Sequence, residues 1–203
     1  MTRSKRAFDL ALALCGIVLF ALPALVVMVL LLVSQGRPIF HRSERMMTPD
    51  RPFQLWKFRT MRVRVLDTGV SGGDKDCRIT PLGRRLRRLR LDELPQLWNI
   101  LRGDMSFVGP RPPLRAYVER FPAQYADVLR CRPGLSGLAT LVFFRREKQL
   151  LMMCTTQQET DAVYVRRCIP RKLRLDLIYR RKRTIWLDAV LIWRSVSCVL
   201  TKA

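Results

Sequence analysis

Residues 10–33 run 24 positions without a charged side chain (LALALCGIVLFALPALVVMVLLLV). At about 1.5 Å per residue this reaches the ~30 Å of a bilayer core and predicts a membrane helix. The run is too long for the apolar core of a signal peptide. Pro23 stands near its middle, where the missing N–H and the clash with the preceding turn predict a kink. Arg3, Lys5 and Arg6 precede the run, and Arg37, Arg42 and Arg45 follow it, so both ends favour the cytoplasmic side. A helix that enters, bends at Pro23 and returns to the same leaflet meets both signals. A kinked spanning helix, or a single-pass anchor with a periplasmic body, is the alternative.

The turn Gln35-Gly36-Arg37-Pro38 divides the chain into an N-terminal membrane segment, 1–36, and a soluble domain, 37–203. Apolar and polar positions alternate over residues 52–61, predicting a half-buried strand with Lys57 and Arg59 on one face. Residues 67–76 (DTGVSGGDKD) predict a mobile surface loop. That loop lacks the Gly-Lys-Ser/Thr ending of a phosphate cradle. Over residues 80–89, Leu82, Leu86 and Leu89 recur at helical spacing with arginines opposite. Such a face is either simply solvated or lies on acidic lipid, and the apolar run nearby favours lipid.

Pro95 fits a helix only in its first turn, so a helix is expected to start close to Asp92. The positive end of that helix favours the ionised forms of Asp92 and Glu93 and attracts phosphate, although acids there also serve as plain caps. Arg111 is framed by Pro110 and Pro112. Its guanidinium is thereby aimed at an oxyanion with little ordering cost, unless the segment is only a surface turn. Residues 132–137 (RPGLSG) read as a second turn beside a cation. Residues 166–200 are helical in pattern, with Ile185, Trp186, Ala189, Val190 and Trp193 as an apolar face. Asp188 is the lone acid on that stretch, either paired with an arginine or functional.

Composition narrows the chemistry. The 203 residues are 49% apolar, which excludes a disordered chain and leaves room for one domain plus a membrane segment. With 38 Lys and Arg against 16 Asp and Glu, the formal charge of +22 calls for an anionic partner: nucleic acid, acidic lipid or a phosphorylated substrate. The six cysteines form no Cys-x-x-Cys pair, which argues against a zinc site or disulfide framework and for a reduced, cytosol-facing body. His41 is the only histidine, so acid, base and nucleophile work falls to carboxylates.

The stretches Leu91-Asp92-Glu93-Leu94-Pro95-Gln96-Leu97-Trp98-Asn99, Gly103-Asp104-Met105-Ser106 and Val108-Gly109-Pro110-Arg111-Pro112 resemble the bacterial sugar transferases, the monotopic polyprenyl-phosphate glycosyl-1-phosphate transferases. The likeness extends to Lys5-Arg6-Ala7-Phe8-Asp9, Lys57-Phe58-Arg59, Arg132-Pro133-Gly134 and Trp186-Leu187-Asp188. It implies an α+β, mainly helical fold: a re-entrant kinked membrane helix, then a small cytosol-facing catalytic domain with interface-lying amphipathic helices, at the bacterial cytoplasmic membrane.

The resemblance also implies an activity: transfer of a sugar-1-phosphate from a UDP-sugar to undecaprenyl (polyprenyl) phosphate, releasing UMP with Mg2+ present. Asp92 matches the nucleophile, which would carry an aspartyl-phosphosugar intermediate and contact the metal, and Glu93 matches its partner. Arg87, Arg111 and Asp188 match further functional positions. Lys57, Arg59 and Arg132 join the phosphate-binding set on charge and placement. The partners implied are the UDP-sugar, the polyprenyl phosphate and anionic lipids, not nucleic acid.

Three departures from the family pattern stand out. Leu22 replaces the usual serine before Pro23, Leu89-Arg90 replaces a Thr-Ser that would cap a helix, and residues 143–147 replace a Gly-Arg-Asn stretch. The competing reading is a non-catalytic membrane-anchored adaptor for acidic lipid or nucleic acid. It accounts for the charge but not for Asp92-Glu93 or the proline-framed Arg111.

Overall fold

The computed structural model describes residues 2–63, 69–70 and 72–201. Its longest element is helix α1, Arg3–Gln35. Thr2 caps the start, accepting from the Lys5 N–H, and the Gly36 N–H closes the end on Leu32 O at 3.0 Å. Pro23 lies inside one continuous helix. Both ends of α1 pack on the same body. Ala13 sits with Phe53, Leu55, Leu97 and Ile100, while Val27 and Leu31 sit with Phe58 and Leu86. Between them Val18, Leu19 and Leu22 stand 79%, 71% and 69% exposed. Each such side chain gains about 1.5–3 kcal/mol on leaving water, so the exposed middle of α1 is suited to hydrocarbon.

The body begins with an antiparallel hairpin, β1 (Phe40–Met46) with β2 (Pro52–Phe58), in register from Phe40 opposite Phe58 to Met46 opposite Pro52. The expected strand is therefore β2, stopping three residues short of Met61. Strand β1 (FHRSERM) gave no sequence signal, because only Met46 is buried and no apolar alternation exists to read. Of the expected 67–76 loop, Asp67, Thr68 and Ser71 lie outside the described residues. Part of the rest is ordered instead: Gly73–Arg78 forms a 3-10 turn. Asp74 holds it, accepting from the Gly72 N–H (3.2 Å) and the Thr160 hydroxyl (3.0 Å).

Helix α2 (Pro81–Leu89) is capped by Thr80, and its Leu82 and Leu86 face α1 and β2. Its apolar side is thus used inside the protein, and its exposed side carries Arg84, Arg85 and Arg88. A single 3-10 turn, Leu91–Glu93, leads to helix α3 (Gln96–Arg102). Strands β3 (Ser106–Val108) and β4 (Gly134–Ser136) then pair in parallel. The second expected turn is therefore a strand, and glycine permits it: a Cβ on Gly134 would come 2.1 Å from Gly109 N.

The main core gathers Tyr117 of helix α4 (Arg115–Arg120), Val128 of α5 (Pro122–Val128), Phe143 of α6 (Leu138–Met152), and Cys168 and Ile169. After α7 (Gln157–Val163) a π-helical turn, Tyr164–Cys168, enters α8 (Ile169–Lys182), followed by α9 (Ile185–Leu200). On α9 the core-facing residues are Asp188 and Leu191, while Trp186 and Trp193 stand 78% and 71% exposed. Much of the anticipated apolar face thus points outward.

Candidate active site

Asp92 and Glu93 meet at the junction of α2 and α3. Arg90 ends α2 in the left-handed conformation (φ 56°), and the tight turn that follows buries both carboxylates to 7% exposure. Helix α3 starts only at Gln96, with Pro95 as its N-cap. The acids therefore precede the helix, one tight turn ahead of its first residue.

Glu93 is held by three cations. Its Oε1 accepts from Lys57 Nζ at 3.2 Å and lies 3.5 Å from Arg111 Nη2, while Oε2 takes Arg90 Nη2. Burial alone would raise this carboxyl, but Lys57, Arg90 and Arg111 together outweigh it and hold Glu93 down at about 2. Asp92 moves the other way. Burial and then the Glu93 charge push it above the usual carboxylate range, against the opposing pull of Lys57, Arg87 and Arg90. No group among the described residues donates a hydrogen bond to it. Two adjacent carboxylates are thus separated in role: one is neutralised by contact, the other is left with its lone pairs free.

Each cation is aimed by the fold. Lys57 leaves β2, which Asn99 of α3 grips through its side chain: Nδ2 donates to Gln54 O (2.8 Å), and Oδ1 accepts from the Trp56 N–H (3.1 Å). Arg87 donates through Nε to Thr60 Oγ1 at 2.9 Å. It reaches there because Gly83, one turn earlier, lets α2 approach the Thr60 carbonyl, to which a Cβ would come within 2.1 Å. Arg111 follows the Gly109–Gly134 crossing, where the Gly134 N–H bonds Pro110 O at 2.8 Å. Its side chain stays 40% exposed, so it faces the same open cleft as the dyad.

Lys57, Arg87 and Arg111 therefore gather around Asp92 and Glu93, Arg59 lines the same cleft while its guanidinium is bonded to backbone, and Arg132 and Asp188 lie outside it. Arg59 Nη2 donates to Gln35 O (2.6 Å) and Gly36 O (2.8 Å), closing the C-terminal end of α1. Arg132 Nη1 donates to Gly103 O, in the turn after α3. Asp188 takes Lys5 Nζ at 2.7 Å and the Tyr179 hydroxyl at 2.6 Å. That hydroxyl also lies 3.1 Å from Val108 O, so Asp188 braces the strand that leads to Arg111 from behind. Its partner is a lysine, not the arginine anticipated. Pro23 lies in α1, outside the cleft.

Sequence reading passed over Arg90, treated only as a lost cap, and Arg45. Burial, then repulsion from Arg111, pushes Arg45 down to about 10, and it lines the same cleft. The one available signal for Arg90 was its i, i+3 spacing to Glu93. Among the described residues no three acidic, histidine or cysteine side chains cluster as a metal cage. Magnesium needs fewer, since one or two carboxylates suffice when phosphate oxygens complete its shell. Asp92 meets that need, whereas both oxygens of Glu93 are taken by cations.

The chain matches the family described as bacterial sugar transferase over residues 1–202. It is 32% identical over 203 residues to the UDP-N-acetylgalactosamine-undecaprenyl-phosphate N-acetylgalactosaminephosphotransferase of Aeromonas hydrophila, covering 97% of this chain and 44% of that protein. It is 34% identical over 201 residues to the UDP-glucose:undecaprenyl-phosphate glucose-1-phosphate transferase of Caulobacter vibrioides, covering 97% and 70%. With the enzyme of that same description from Escherichia coli K12 it shares 30% identity over 196 residues, 95% of this chain and 39% of the relative. The chain thus spans less than half the length of two of these three relatives.

Proposed function

Because the chain belongs to the bacterial sugar transferase family, we propose that it moves a sugar-1-phosphate from a UDP-sugar to polyprenyl (undecaprenyl) phosphate, with Asp92 as nucleophile. The observation that carries this reading is the split pair: a raised Asp92 to which no described residue donates, beside a Glu93 clamped by Lys57, Arg90 and Arg111. An adaptor of acidic lipid or nucleic acid has no use for two carboxylates buried among cations.

In the first step an Asp92 oxygen attacks the sugar-bearing phosphorus, the bridging P–O bond breaks, and its electron pair leaves with UMP. The acyl phosphate so formed is labile. In the second step an oxygen of polyprenyl phosphate attacks the same phosphorus, the bond to Asp92 breaks, and the carboxylate is restored. Arg87 and Arg111 stabilise charge on the diphosphate, and Lys57 and Arg90 keep Glu93 from repelling it. Mg2+, which Asp92 would hold together with diphosphate oxygens, supplies further charge neutralisation when bound.

Purified protein in detergent, given a panel of UDP-sugars and Mg2+, should release UMP continuously only when polyprenyl phosphate is present. Without acceptor, release should stop at about one equivalent, as a covalent intermediate requires. Absence of UMP release from every UDP-sugar in the panel overturns the proposal.

The same reading makes the protein monotopic, with α1 re-entrant and the catalytic domain facing the cytoplasm, at the first membrane step of polysaccharide or glycoconjugate synthesis. It is supported by the packing of both ends of α1 on one body. Trp186 and Trp193 of α9 suit the membrane interface, and the exposed arginines of α2 suit anionic headgroups. Single cysteines placed at Ser4 and Arg42 should label from the same face of oriented membrane vesicles. Labelling from opposite faces excludes re-entry.

A further inference from the structure

Behind Arg111 the cleft continues into a second polar cluster that the two transfer steps do not use. Lys172 Nζ donates to Glu147 Oε1 at 2.9 Å and to the Tyr164 hydroxyl at 3.1 Å, and it sits 5.0 Å over the Tyr164 ring. One turn further along α8, Asp176 is 6% exposed. Its Oδ1 is buried without a partner, and no described residue donates to its other oxygen. Tyr125, Glu147, Tyr164, Lys172 and Asp176 all line the cleft that holds the dyad.

Resting on the proposed transfer activity, we propose that this deep end of the cleft seats the sugar ring of the donor and sets which UDP-sugar is accepted. A buried carboxylate without a donor is costly unless something outside the chain supplies O–H groups. The cluster carries two carboxylates against one ammonium already engaged by Glu147. With that ammonium engaged it draws phosphate less than the seat at Lys57, Arg87 and Arg111 does. A uracil ring offers one N–H donor and two carbonyl acceptors, a poor match to two carboxylates. A sugar offers several hydroxyls that donate as well as accept, and apolar C–H faces for tyrosine rings.

Position agrees with chemistry. The sugar is the group bonded directly to the transferred phosphorus, and Glu147 is near enough to Arg111 to act on its charge. The π-helical turn Tyr164–Cys168, a feature that often re-aims side chains at functional sites, opens with the tyrosine that meets Lys172. Burial pushes Asp176 up to about 7 against the pull of Lys172, so near neutrality its carboxyl both donates and accepts.

The test compares wild type with Asp176→Asn on a set of epimeric UDP-sugars, with UMP inhibition measured alongside. The expected result is a loss of about 10–100-fold in kcat/KM for the preferred sugar and a flattened ranking across the set, with UMP inhibition unchanged. A ranking left intact overturns the proposal, and so does a loss shared by UMP, which would place the nucleoside there instead. If the asparagine variant does not fold, Glu147→Gln on the half-buried wall is read by the same criteria. A wild type inactive on every UDP-sugar sinks the transfer reading and this one together, whereas an active enzyme with unmoved ranking sinks this one alone.

Discussion

Asp92→Asn is expected to abolish turnover, lowering UMP release by at least about 10⁴-fold, on the scale of removing a catalytic nucleophile. The amide matches the carboxylate in shape but has no anionic oxygen with which to form an acyl phosphate. Neighbouring Glu93 cannot substitute, since Lys57, Arg90 and Arg111 occupy both its oxygens. Folding should survive. Asp92 is a buried carboxylate that no described residue donates to, so a neutral side chain there relieves a desolvation cost, and the melting temperature should hold or rise. Intact-protein mass spectrometry supplies the decisive reading. Wild type incubated with UDP-sugar and Mg2+ but no acceptor should gain the mass of one phosphosugar, mapped to Asp92, and the variant should gain none. Turnover retained within about tenfold of wild type, or an adduct at another side chain, removes Asp92 from the mechanism.

That prediction was within reach of the sequence, and the reason is local. The apolar run of α1, the Leu82/Leu86 spacing of α2 and the alternation in β2 each encode their element within a few residues, so periodicity reveals them. The pair Asp92-Glu93 and the proline-framed Arg111 were equally visible, because their chemistry is carried by adjacent residues. What escaped depends on contacts between distant segments. Strand β1 is legible only once β2 lies beside it, and the β3–β4 pair only once Gly109 meets Gly134. Arg59 and Arg132 joined the phosphate-binding set on charge and placement, and their bonds to backbone carbonyls come from distant segments that the sequence does not bring together. The deep cluster was invisible for a related reason: Glu147 and Lys172 stand on different helices, α6 and α8, and meet only in three dimensions.

The different charge states of the two acids were also beyond sequence reading, and Glu93→Gln tests them. Glu93 is ionised at any working pH, held down at about 2 despite its burial. Its negative charge is the second cause, after burial, of the upward shift in Asp92. Asp92 must be ionised to attack, so the wild-type rate should climb with pH as that raised group loses its proton. Replacing Glu93 by a neutral amide removes the repulsion, the Asp92 pKa falls, and the acid limb of kcat/KM should move to lower pH. The maximum should drop even so, by about 10²–10³-fold, because the cations lose the group that aims them. Lys57 and Arg90 are then free to pair with Asp92 and quench its lone pairs. An acid limb that stays in place or moves to higher pH would show that Glu93 does not tune the nucleophile. A variant with near wild-type kcat would show that the three-cation clamp is not what orders the phosphate seat.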